Sequence, residues 1–89
     1  MRLDLDIPES LPDDLPSRAA CMRYVRRIVR DWAKVETAHE AWLRKPEIEG
    51  NKVAIVQADK AMDELRDFYP RAMYAAMRRH AALEATRSD

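Results

Sequence analysis

The stretch KPEIEGN, residues 45–51, separates two long segments that both carry apolar residues at helical spacing. Pro46 disfavours helical geometry at the residue before it, so the first helix is predicted to end near Arg44. Gly50, the one glycine of the chain, suits a left-handed turn position, and Asn51 suits the N-cap of a second helix. The stretch therefore predicts a tight turn joining two helices.

The segment before the turn is predicted to form one helix from Ser17, an N-cap residue directly after Pro16, to about Arg44. Its apolar residues fall on one side of a helix and form a stripe wider than a two-column seam. They are Cys21, Met22, Val25, Ile28, Val29, Trp32, Val35, Trp42 and Leu43.

The segment after the turn is predicted to be helical from about Asn51 toward Arg87. Two columns repeat every seven residues: Ile55, Met62, Tyr69, Ala76 and Leu83, with Ala54, Ala61, Phe68, Ala75 and Ala82 beside them. Pro70 removes the backbone donor to the Arg66 carbonyl, so the helix is predicted to kink or break there. The apolar register keeps its phase across Pro70, which favours a kink within one long helix.

These patterns predict an all-α fold, an antiparallel helical hairpin. A chain of 89 residues buries only about 60–65% of its unfolded surface. The wide stripes therefore favour pairing of two hairpins, with coiled-coil-like packing, into a four-helix-bundle dimer. The alternative is a monomeric three-helix bundle broken at Pro70.

The first sixteen residues differ from the rest. Pro8, Pro12 and Pro16 recur every four residues with acids between them, and this spacing excludes a continuous helix. We therefore interpret residues 1–16 as an acidic, proline-spaced N-terminal arm and residues 17–89 as the helical hairpin domain.

The overall composition narrows the class of protein. Sixteen basic side chains balance sixteen acidic ones, which argues against a nucleic-acid binder coated in positive charge. A single cysteine, Cys21, excludes an intrachain disulfide framework and favours the cytoplasm. The apolar runs are too short to span a bilayer, and the acidic start is unlike a secretory signal, so no membrane association is expected.

Glu36 and His39 are spaced three residues apart on the first helix, a ligand spacing that carboxylate-bridged di-iron bundles use. Antiparallel pairing is predicted to bring Asp59 to the same level, with Asp63 one turn further on, so these four residues are metal-ligand candidates. The chain has only one such motif, and the preferred interpretation is that Glu36 or Asp59 holds a buried His39 by a hydrogen bond. No cofactor is expected.

A basic stripe on the first helix has a more specific spacing than the Glu36–His39 pair. Arg23, Arg27, Arg30 and Lys34 step by four, three and four residues, with Arg26 beside them, and they lie opposite the apolar stripe. This spacing is compatible with an acidic protein surface, with phosphates, or with a solvated outer face. Trp32 and Trp42 are most simply core or dimer-seam residues, but Trp42, near the turn and at the edge of the apolar stripe, is also a candidate for an exposed anchor that binds a partner.

The chain has no glycine-rich phosphate loop, nucleophile elbow or histidine–cysteine cluster, so neither an enzyme nor a small-molecule substrate is expected. The leading hypothesis is a small helical interaction module, an adaptor, inhibitor or assembly factor, that forms homo-oligomers and binds a protein partner. One alternative is a nucleic-acid-associated protein that uses the basic stripe. Another is a metal-binding helical bundle.

Overall fold

The computed structural model describes Leu3 and residues 14–87. Two helices make up the fold: α1 spans Arg18–Leu43 and α2 spans Lys52–Arg87. The Ser17 side chain accepts a hydrogen bond from the Ala20 N–H at 3.1 Å, which confirms the predicted N-cap of α1. Most of the predicted arm, residues 1–16, lies outside the described residues.

The turn between the helices is held by backbone hydrogen bonds and by one positive φ. Lys45 N–H donates to the Trp42 carbonyl, and Asn51 N–H donates to the Ile48 carbonyl. Gly50 has φ 79°, a conformation that L side chains rarely adopt. The Asn51 side chain accepts from Ala54 N–H at 3.2 Å, so the predicted cap of α2 is confirmed as well.

α2 continues through Pro70 as one element. The described residues therefore form two helices packed against each other, with no strand among them. The three-helix alternative, which needs a break at Pro70, is not what this part of the chain forms. Within the same residues, no helix is long and apolar enough to cross a membrane.

The two helices pack along a single seam with two clusters. In the middle, a buried cluster consists of Ile28, Leu65, Tyr69 and Ala72. Trp32 packs against this cluster by stacking on Tyr69, with ring centroids 5.6 Å apart. At the turn, Trp42 packs with Ile48 and Ala58, and Leu3 contacts this cluster. The extents of 61 × 17 × 13 Å correspond to a single layer of two helices.

Candidate interaction surfaces

The basic stripe lies where the sequence predicts it, on the solvent side of α1. All five of its side chains are exposed, and no carboxylate within the described part of the chain lies within 4.0 Å of their charged groups. Together with Asp31 they line a shallow groove: Arg23, Arg26, Arg27, Arg30 and Lys34. The stripe therefore presents cations whose charge the described chain leaves largely unneutralised.

Tyr24 borders this stripe on the side of the core. The Arg27 guanidinium lies 5.5 Å from the centre of the Tyr24 ring, within cation–π distance. Burial raises the pKa of the Tyr24 hydroxyl, and the charge of Arg27 partly opposes this. The phenol therefore remains neutral at physiological pH and offers the stripe an aromatic edge.

A second cationic surface, on α2, was not anticipated from the sequence. Tyr74 is 66% exposed, and the Arg78 guanidinium lies 5.8 Å from the centre of its ring. Pro70 and Ala75 line the same groove, together with Arg71, which also forms an exposed ion pair with Asp67 at 3.2 Å. The spacing of Arg71, Tyr74 and Arg78 along one helix face was the available signal, although it resembles an ordinary solvated face.

The packing of the helices brings the two surfaces to the same half of the hairpin. Arg18 forms an ion pair with Glu84 at 3.7 Å, and Trp32 stacks on Tyr69, so the N-terminal half of α1 lies beside the C-terminal half of α2. The four arginines of the basic stripe and the Tyr74 groove therefore both lie between the middle of the molecule and its open end.

Trp42 is a core residue and not an exposed anchor for a partner, so its assignment as a partner-binding residue is wrong. Its side chain is only 4% exposed, because Ile48 from the turn and Ala58 from α2 cover it. Ile48 is fully buried and folds back over the end of the seam. Trp42 is therefore a core residue of the hairpin.

The four metal-ligand candidates do not form one cluster. Glu36 is bound by Arg66, whose Nε donates to Glu36 Oε1 at 2.9 Å and whose Nη2 lies 2.9 Å from the same oxygen. No group of three or more histidine, cysteine, aspartate or glutamate side chains suited to a metal ion occurs among the described residues. The prediction that Glu36, His39, Asp59 and Asp63 lie close enough together to bind one metal ion is therefore wrong. Glu36 forms an ion pair with Arg66 instead.

His39 is buried as predicted, at 7% exposure, but the predicted hydrogen bond is not formed. Its Nε2 lies 3.8 Å from Asp59 Oδ1, beyond hydrogen-bonding distance. Neither His39 Nε2 nor Trp42 Nε1 has a hydrogen-bond partner in the described chain. The two rings stack on each other with centroids 6.4 Å apart, so the contact is one of packing.

Comparisons with protein-family models, with curated proteins and with solved structures find no match to this chain.

Proposed function

We propose that the protein is a non-enzymatic helical interaction module, an adaptor, inhibitor or assembly factor, that forms homo-oligomers and binds an acidic surface of a protein partner. One observation carries the partner proposal: five exposed cations occupy the side of α1 opposite the seam, without an ion pair among the described residues. Cations aligned along one face steer association with acidic surfaces. The lone free cysteine supports a cytoplasmic location.

Self-association is supported by the shape of the hairpin. One seam buries few large side chains, and large apolar residues remain exposed on both helices, among them Val29 on α1 and Met77 on α2. A second hairpin would cover such residues by the coiled-coil-like packing of a four-helix bundle.

The partner proposal is tested by affinity capture from the native cell, followed by mass spectrometry. The bait is compared with an Arg27→Glu/Arg30→Glu variant, and with Lys60→Glu, which reverses an exposed cation on α2. We expect a protein with an acidic surface that is retained by wild type and by the Lys60 variant and lost by the stripe variant. Retention of every captured protein by the stripe variant would contradict the proposal.

Nucleic acid is a second candidate because of the α2 surface. Tyr74 is an exposed ring flanked by Arg71 and Arg78, and aromatic rings between cations stack on unpaired bases. Fluorescence anisotropy with single-stranded oligonucleotides at several salt concentrations tests this candidate. If the protein binds nucleic acid at this surface, its affinity should fall steeply with salt concentration and should weaken in Tyr74→Ala. An affinity that changes neither with salt nor with this substitution would exclude nucleic acid as the partner.

A further inference from the structure

Two ion pairs lie on the same side of the hairpin with their charges reversed. Glu36 on α1 pairs with Arg66 on α2 at 2.9 Å, whereas Arg18 on α1 pairs with Glu84 on α2 at 3.7 Å. On each helix the two partners are 18 residues apart, which is five turns at 3.6 residues per turn. Each helix therefore presents one arginine and one glutamate in line. Because the helices are antiparallel, the arginine of α1 and the arginine of α2 lie at opposite ends of this side.

Between these ion pairs, the same face of each helix carries no lysine, arginine, aspartate or glutamate. Stepping by three or four residues from Arg18 to Glu36 along α1 gives Met22, Val25, Val29 and Ala33. The same steps from Arg66 to Glu84 along α2 give Pro70, Met73, Met77 and His80. We call these eight residues the methionine–valine side.

This side is continuous across the two helices. Val29 lies seven residues before Glu36 and Met73 lies seven residues after Arg66, so two turns away from that ion pair these side chains are again at the same level. Val29 is 51% exposed and Met77 is 43% exposed, while Met22 and Met73 are half-buried. The result is an apolar patch with an ion pair at each end.

The arrangement of charges fits a second copy of the same surface. If the two-fold axis runs across the helices, midway between the ion pairs, Arg18 of one copy lies over Glu36 of the other. If the axis runs along the helices, Arg18 lies over Glu84 of the other copy instead. Either symmetric stacking places an arginine against a glutamate at both ends and apolar side chains against each other between them.

The basic stripe does not share this property. Stacking that side of α1 on its own copy would place arginines against arginines, a juxtaposition that disfavours association. The charge pattern therefore distinguishes the two surfaces, since one is complementary to itself and the other to an acidic partner.

We infer that the methionine–valine side is the homodimer interface, where two hairpins stack into a four-helix bundle and leave a basic stripe facing outward on each copy. This inference rests on the self-association in the proposed function and adds which surface carries it.

Sedimentation equilibrium of the full chain tests the interface. We compare wild type with Val29→Glu and with Val53→Glu, a matched control because Val53 is 69% exposed but lies beside the turn, outside the region between the ion pairs. We expect wild type and the Val53 variant to be dimers. A carboxylate at Val29 would be buried without a partner, so the dimer dissociation constant should rise by about 100-fold or more.

Circular dichroism reports whether each variant keeps its helix content. Met77→Glu places the same charge on the other helix and is expected to dissociate the dimer equally, so it decides the test if the Val29 variant does not fold. A dimer unaffected by both charges, or dissociated equally by Val53→Glu, would overturn the interface while leaving self-association in place. A monomeric wild type would overturn both.

Discussion

Among single residues, His39 combines deep burial with an unmet hydrogen-bonding group. Its Nε2 atom has no hydrogen-bond partner among the described residues, and a buried polar group without a hydrogen bond reduces stability by about 1–3 kcal/mol. Trp42 stacks on the imidazole, and the Asp59 carboxylate, with Oδ1 3.8 Å from Nε2, is too distant for a hydrogen bond. The contribution of His39 to the fold is therefore predicted to come from its volume rather than its polarity.

We expect His39→Leu to raise the free energy of unfolding by about 1 kcal/mol, because it keeps most of the volume and removes the unpaired nitrogen. His39→Ala should lower it by about 2 kcal/mol, because it leaves a cavity. Urea denaturation followed by circular dichroism measures both. Destabilisation by leucine comparable to that by alanine would show that the imidazole forms a polar contact that the described chain does not contain.

Tyr69 links stability to alkaline pH. Burial raises the pKa of its hydroxyl above the usual 10.0, and the negative charge of Asp31 raises the pKa further. The folded state thus holds this proton more tightly than the unfolded chain does. The corresponding stability is fully present below pH 10 and is lost as the pH rises toward the higher folded pKa.

We therefore expect the free energy of unfolding to decline above pH 10, with Tyr69 contributing at most about 1.4 kcal/mol per pH unit. Tyr69→Phe should make the decline shallower. Urea denaturation between pH 9 and pH 11 gives the measurement, and Tyr74→Phe, at an exposed tyrosine, is the matched control for loss of a hydroxyl. An unchanged slope in Tyr69→Phe would show that this phenol does not control the alkaline transition.

At the scale of the helices, Pro70 is the residue that conflicts with its position. It lies inside α2, where it cannot donate to the Arg66 carbonyl and where its ring crowds the preceding turn. We expect Pro70→Ala to raise the free energy of unfolding by about 1–2 kcal/mol, after allowing for the greater freedom of the unfolded chain.

Thermal unfolding measures this change, with Arg71→Ala as the control for truncating an exposed side chain in the same turn. A lower melting temperature for Pro70→Ala would mean that the seam depends on the backbone shape that proline imposes.

The ends of the helices were predictable because short-range chemistry determines them. Ser17 and Asn51 cap their helices through bonds three residues away, and Gly50 alone can adopt the positive φ of the turn without strain. Each of these preferences is visible in a few neighbouring residues. The predicted boundaries of α1 and α2 therefore agree closely with the structure.

The rotation of α2 about its own axis was less predictable. The predicted alanine column flanks the seam, with Ala54, Ala61 and Ala75 only half-buried, while Ala58, Leu65 and Ala72 are buried. Adjacent columns of similar apolarity differ little in burial energy, so periodicity alone does not choose between them.

The same limit explains the errors at the candidate site. Glu36 lies opposite Arg66 rather than opposite Asp59. Which residue of α2 faces a given residue of α1 depends on the number of residues in the turn. Trp42 is buried because Ile48 of the turn packs on it, and helical periodicity does not extend into a turn. The exposure of the basic stripe could be predicted without knowing the register or the packing of the turn, because it depends on the periodicity of one helix alone.

At the scale of the whole molecule, one relationship determines the arrangement of the surfaces: the antiparallel register in which Trp32 lies on Tyr69. That register places the cationic surfaces in the same half and aligns the two ion pairs. It also assembles the methionine–valine side from both helices. A change of one turn in register would separate Val29 from Met73 and would move Glu36 away from Arg66.

Nuclear Overhauser effects between the Trp32 and Tyr69 rings test this register most directly. The ring centroids are 5.6 Å apart, so we predict cross-peaks between their protons in uniformly labelled protein. These cross-peaks should be absent from an isotope-filtered experiment on mixed labelled and unlabelled chains, because the contact lies within one chain. Cross-peaks found only between different chains, or no cross-peaks between these rings at all, would contradict the account.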